Sequence, residues 1–168
     1  MKSEVIRRIV TTAMLAALTF VATAFFRIPS PLNGYLNLGD GLVLLAGWLL
    51  SPAYGFLAAG IGSALADLSA GYLIYAPATF VIKGCMALLA GWLFRWRRRT
   101  HHGLSAPLIG GTAAELVMIL GYFVFEGFLY GFIPSLVNIP ANAVQGVAGL
   151  VIATVAVRVL PNRHTTLS

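Results

Sequence analysis

Asn138, Asn142 and Gln145 stand at i, i+4 and i+7 in one apolar stretch, a spacing that puts all three on one face of a helix. A side-chain amide donates and accepts at once, so three together can read the polar edge of a small molecule. The competing reading is hydrogen-bonded glue between helices. Lys83, Tyr122 and Glu126 lie inside other apolar stretches, and Glu115 lies deeper still. A charge in hydrocarbon costs about 2.5–3.5 kcal/mol on insertion scales, so an ionisable side chain kept there faces protein, water or a ligand. Lys83 and Glu126 can answer each other or a ligand, and Glu115 can be a hydrogen bonder between packed helices. Asp40 and Asp67 fall near segment ends, where they can instead satisfy loop amides. With Asn37, Tyr75 and Glu115 they are candidates for lid or pocket support.

Other chemistries lack their residues. There is no Ser/His/Asp or Cys/His set, and Gly60-Ile61-Gly62 lacks the Lys-Ser/Thr of a phosphate-cradling loop, so the chain is not expected to be an enzyme or to hydrolyse ATP. His101, His102 and His164 have no helical partners, so neither a metal nor a cofactor is expected. Cys85 cannot form an intrachain disulfide and by default is a small packing residue.

The elements that must position the polar set are hydrophobic. The 168 residues are 59% apolar and 10% charged, with a mean hydropathy of +0.88, which excludes an ordinary soluble domain. The net charge of +6 has no aromatic-rich basic face beside it, so nucleic acid is not the expected partner. The basic residues cluster at segment ends, as topology signals and lipid-headgroup contacts do. No cleavable signal is expected, because the apolar run after Arg8 is too long for one.

One all-α domain of six transmembrane helices follows, at about 9–26, 41–50, 53–70, 77–96, 106–130 and 135–160. Arg27 to Gly39, with its prolines, glycines and asparagines, is long for a connector and is a candidate lid. Gly131 to Pro134 joins the last two helices, Arg95 to Gly103 is a polar linker, and the tail from Pro161 is expected to fray. Both termini share a side with nine of the 11 basic residues, which the positive-inside rule makes cytoplasmic. At about 1.5 Å per residue, Lys83, Tyr122, Glu126 and the three amides all fall within about 15 Å of the outer surface. That pattern suits a pocket opening outward and closed below by apolar packing. Ala13, Ala16 and Ala17 make a small-residue face on the first helix, for internal packing or for docking a partner subunit.

Taken in order, the motifs resemble the substrate-binding S components of energy-coupling-factor (ECF) vitamin transporters. The resemblance rests on Leu38-Gly39-Asp40, Gly62-Ser63-Ala64-Leu65-Ala66-Asp67, Pro77-Ala78-Thr79, Ile82-Lys83-Gly84 and Pro140-Ala141-Asn142 with Gln145. It is nearest to the riboflavin, hydroxymethylpyrimidine and pyridoxine-type branch. It implies a multi-pass protein of a prokaryotic cell membrane that captures a vitamin from outside. It also implies partnership with a membrane coupling subunit and two cytoplasmic ATPases, docking through Ala13 and Ala17 and toppling in the membrane to carry ligand inward. The ligand would be held by Lys83, Tyr122, Glu126, Asn138, Asn142 and Gln145. Only Arg27 and Lys83 offer positive charge in the outer half, so a neutral heteroaromatic of hydroxymethylpyrimidine or pyridoxine type fits better than an acidic vitamin, with riboflavin next. A self-sufficient secondary transporter is the rival, but residues 1–84 and 85–168 show no internal repeat of the kind that class usually carries. A scaffold protein binding no small molecule is a second rival.

Overall fold

The computed structural model describes residues 2–99 and 103–159. His101, His102, His164, the tail from Pro161 and the expected helix end at Leu160 lie outside them.

Helix α1 runs Lys2–Phe25, starting about two turns before the expected residue 9. Nothing between Lys2 and Arg8 breaks a helix, and Glu4 in the first turn suits its positive end. Thr11, Thr12 and Thr19 donate their hydroxyls to carbonyls four residues back at 2.7–2.8 Å. An intramembrane helix can thereby carry hydroxyls without outside partners. The first loop contains a two-residue antiparallel ladder, β1 (Ile28–Pro29) against β2 (Tyr35–Leu36).

Helix α2, Gly39–Leu49, has 11 residues, a length of about 16 Å against a hydrocarbon core of about 30 Å. It therefore lies inside the bundle rather than crossing on its own, and nine of those residues are buried. Its open carbonyl end is met by Arg95, whose Nη1 donates to Gly47 O and Leu50 O at 3.2 and 3.1 Å. A cation at a helix C-terminus satisfies orphan carbonyls and the negative end of the dipole together. Arg95 is thus a helix residue, not the start of a linker, because α4 spans Ala76–Arg98.

Helix α3 spans Pro52–Ser69 and, like α4, has a proline in its first turn, where the missing N–H costs nothing. Helix α5, Ser105–Tyr130, turns through Gly131 at φ +93°, a conformation that L side chains rarely adopt. That single residue replaces the expected linker Gly131–Pro134. The chain re-enters helix at once as α6 (Phe132–Ser135), a 3₁₀ turn (Leu136–Asn138) and α7 (Ile139–Val159), continuous over Phe132–Val159. Six helical segments result, and among the described residues α1, α4, α5 and this last element are long and apolar enough to cross a membrane.

The core forms around α2. Val43, Leu44 and Trp48 pack with Met86, Ala90 and Phe94 of α4, Met118 of α5 and Ala153 of α7, with the Trp48 and Phe94 rings stacked at 5.4 Å. Cys85 of α4 faces outward rather than packing inside. Backbones of α2 and α4 nearly touch: a Cβ on Gly47 would stand 2.3 Å from Ala87 O, and one on Gly91 2.2 Å from Gly47 O. Small residues allow such a crossing where hydrophobic driving force between helices is absent. Gly47→Leu or Gly91→Leu should destabilise by about 1–3 kcal/mol or more, read as a lower thermal unfolding midpoint in detergent. Val151→Leu, at a half-exposed position, should leave that midpoint unchanged.

Candidate ligand-binding site

The loop between α1 and α2 lies over one end of the bundle, where α3 and α5 finish and where α4 and α7 begin. Within it the β1–β2 ladder pairs Ile28 with Leu36 and Pro29 with Tyr35, and Ser30 N–H donates to Gly34 O at 3.1 Å. Hydrogen bonds tie this hairpin and its C-terminal flank down or in place, one of them from Asn33 Nδ2 to Tyr130 OH at 3.4 Å. Leu32 N–H donates to Asn138 Oδ1 at 3.2 Å, and Asn37 N–H to Gln145 Oε1 at 2.8 Å. Tyr35 OH donates to Asp67 Oδ1 at 2.6 Å, and Tyr75 OH to Asn33 O. Asn37 Oδ1 accepts from Gly39 N–H at 2.9 Å, which lets α2 begin two residues before the expected Gly41. Burial and the neighbouring Asp67 carboxylate both push the Tyr35 phenol well above its ordinary value, so it stays protonated and donates.

Beneath the loop is a cavity of about 40 Å³. Of the residues expected to hold ligand, Tyr122, Glu126, Asn138, Asn142 and Gln145 line it. Of those expected to support it, Asn37, Asp67 and Tyr75 line it as well. Lys83, Asp40 and Glu115 do not. Lys83 Nζ is paired with Asp40 Oδ1, their side chains 3% and 0% exposed, so the expectation that Lys83 and Glu126 answer each other is replaced. The reason is the placement of α2: enclosed between α4 and α7, it turns its first-turn carboxylate inward instead of toward loop amides. Glu126 Oε1 accepts from Asn138 Nδ2 at 2.9 Å and from Tyr75 OH at 3.4 Å. Glu115 lies lower, beside Asp40, with neither carboxylate oxygen partnered among the described residues; both side chains press on α7 at Gly149, where an added Cβ would stand 2.7 Å from Asp40 Cβ and 3.2 Å from Glu115 Oε1.

Tyr35, Tyr72 and Thr79 also face the cavity and were not singled out as site residues. Rings run in a row along this side, Tyr35 to Tyr72 at 5.2 Å, Tyr72 to Tyr75 at 6.0 Å and Tyr75 to Phe125 at 5.2 Å. Their signal in the sequence was an aromatic pair three apart in the short turn after Asp67, legible equally as a membrane-interface belt.

Two acceptors in this cavity have no partner among the described residues: Asp67 Oδ2 and Glu126 Oε2, both buried. The Asn142 amide between them and the loop makes no hydrogen bond with the described residues either. Unpaired buried carboxylate oxygens are costly, and this set can accept from amino or hydroxyl groups of a small planar molecule between aromatic faces. Small-molecule sites ordinarily enclose about 300–1,000 Å³, so with the loop seated this cavity is too small for a vitamin-sized molecule.

Comparison with known proteins gives a consistent result. The protein-family profile "ECF-type riboflavin transporter, S component" matches residues 3–161. A thiamine precursor transporter, HmpT, of Lactococcus lactis subsp. cremoris (strain MG1363) is 28% identical over 158 residues, covering 92% of this chain and 88% of that one. A riboflavin transporter, RibU, of Staphylococcus aureus (strain TCH60) is 33% identical over 141 residues, covering 81% and 74%. A solved structure of the S component of a bacterial ECF transporter superposes with a TM-score of 0.72 at 24% identity, covering 90% of this chain and 94% of that one; this likeness is one of fold.

Removing one member of a buried ion pair costs about 3–5 kcal/mol, whereas replacing both by apolar groups can be neutral. Lys83→Met should therefore lower the unfolding midpoint in detergent strongly, and Asp40→Leu combined with Lys83→Met should recover much of the loss. Equal loss in the single and double variants would contradict the pairing.

Proposed function

Because the chain belongs to the family of ECF-type riboflavin transporter S components, the substrate-binding subunits of ECF importers, we propose that its cargo is a neutral heteroaromatic vitamin or precursor. The hydroxymethylpyrimidine or pyridoxine type comes first and riboflavin second. The observation that carries this is the pair of unpartnered acceptors, Asp67 Oδ2 and Glu126 Oε2, facing one small cavity. An acidic vitamin would bring its charge against two carboxylates, while the nearby cations are engaged elsewhere. Lys83 is held by Asp40, and Arg27 lies 5.7 Å over the Tyr35 ring. An amino or hydroxymethyl group would instead fill both acceptors, Asn142 would read a ring nitrogen or hydroxyl, and the tyrosines would stack. The relative described as a thiamine precursor transporter supports the first ligand class. The relative described as a riboflavin transporter, with the row of tyrosines suited to a larger ring system, supports the second.

Energy would come from partners, a membrane coupling subunit and two cytoplasmic ATPases, with both termini and the basic helix ends in the cytoplasm and the loop-covered site outside. An apolar groove between α1 and α3, lined by Thr12, Ala13, Ala17, Phe20, Leu57 and Ile61 among others, is where the coupling subunit would dock. The small-residue face of α1 divides there. Ala16 backs onto α3, where a Cβ on Gly62 would stand 2.4 Å from its carbonyl oxygen, while Ala13 and Ala17 are exposed.

Isothermal titration of the purified protein against hydroxymethylpyrimidine, pyridoxine, riboflavin, folate and pantothenate should show binding by a neutral compound; binding of an acidic vitamin alone would refute the charge argument. For that compound, Glu126→Gln should weaken affinity about 10- to 100-fold, the effect of losing a hydrogen bond to a charged acceptor. Ala13→Trp or Ala17→Trp should leave affinity intact and stop uptake by cells carrying the full transporter. Robust uptake by this chain in cells without the partner subunits would favour a self-sufficient transporter instead.

A further inference from the structure

The amide face formed by the 3₁₀ turn and α7 does two jobs. Asn138 and Gln145 are each gripped at both ends in the same sense. Asn138 gives Nδ2 to Glu126 Oε1 at 2.9 Å and receives Leu32 N–H on Oδ1 at 3.2 Å. Gln145 gives Nε2 to Asp40 Oδ2 at 2.7 Å and receives Asn37 N–H on Oε1 at 2.8 Å. An ionised carboxylate can only accept, so it decides which end of the amide turns toward it. The carbonyl oxygen is then aimed at the loop, where a backbone N–H meets it. A flipped amide would set oxygen against carboxylate and NH₂ against N–H, two repulsions in place of two bonds.

We propose that Asn138 and Gln145 are the latches of the first loop, each polarised by the carboxylate beneath it, and that the buried Asp40–Lys83 pair is a positioning pair that aims Gln145 at the loop. This rests on the ligand-site reading above and deepens it. Lys83 partners Asp40 in a place where a lone carboxylate would be untenable, and the pairing holds Asp40 where it keeps the Gln145 amide from turning over. The two latches, Asn138 at the end of the 3₁₀ turn and Gln145 on α7, are seven residues apart, about 10 Å along the axis, and seize Leu32 inside the hairpin and Asn37 just after it. Asn142 stands between them in the chain, touches the same cavity and makes no hydrogen bond with the described residues. The outer two amides close the site and the middle one reads the ligand. Asn37 and Gln145 also line the apolar groove between α7, the end of α1 and the loop, so the Gln145 latch is part of the wall between that groove and the cavity.

Backbone hydrogen–deuterium exchange of the full chain in detergent, without added ligand and resolved at single amides, tests this. Gln145→Leu should speed exchange at the Asn37 N–H about tenfold, the opening expected for one lost hydrogen bond, with Leu32 changed less than twofold. Asn138→Leu should do the reverse. Asp40→Asn should loosen Asn37 as Gln145→Leu does, although residue 40 has no bond to the loop's backbone N–H groups; if Asp40→Asn does not fold, Gln145→Glu, which loses the donor toward Asp40, should loosen Asn37 instead. Unchanged exchange at Asn37 in these variants, or a rise shared equally by the α2 amides of 43–48, would overturn the proposal and leave the pair a purely structural one. The readout needs no vitamin, so a negative titration against the panel would sink the ligand reading without touching the latches.

Discussion

A charge cannot stand alone in the middle of a lipid-embedded bundle, and the fold of this chain answers that constraint at Asp40. The carboxylate is fully enclosed, paired with Lys83 of α4 and with the Gln145 amide of α7. The pair is not by itself a source of stability, because desolvation offsets much of the attraction. What the structure shows is a junction: α2, α4 and α7 each contribute one of the three groups that meet here. A short helix with little surface left for lipid is thereby fixed at the centre of the molecule, its far end held by Arg95.

The polar groups above this pair differ in how fully they are satisfied. Asp40 has both oxygens occupied, whereas Asp67 and Glu126 each have one oxygen engaged and one open to the cavity. In a medium without water an open acceptor is a standing cost. Openness does not follow depth, since Glu115, lower and beside Asp40, has neither oxygen partnered among the described residues; what sets Asp67 and Glu126 apart is that both line the cavity under the loop.

Close helix contact does the rest. Glycines at 47 and 91 bring α2 and α4 to backbone contact, and Gly62 does the same for α3 against Ala16 of α1. Packing of this sort, rather than hydrophobic exclusion, holds helices together in lipid. It also leaves α1 attached along one side, with Ala13 and Ala17 on its exposed face. A shallow apolar groove runs beside these small side chains, between α1 and α3.

How much of this could be read in advance varies by level. Composition and apolar run length by themselves pointed to a membrane bundle of six helical segments, because hydrocarbon admits few other folds, and the ordered motifs resembled the family that the profile match shows. Gly131, the 3₁₀ turn before α7 and the early start of α1 were missed because helix ends depend on local backbone geometry that hydropathy does not encode. The candidate site was legible as a set: Tyr122, Glu126, Asn138, Asn142 and Gln145 do come to one cavity, since their depth and helical spacing follow from residue number. Which groups meet was not legible. Lys83 finds Asp40 rather than Glu126, and the loop's N–H groups find Asn138 and Gln145, because those encounters depend on how helices far apart in the chain are rotated against one another. Depth along a helix is a property of sequence; the partner across the interface is decided only when the helices pack.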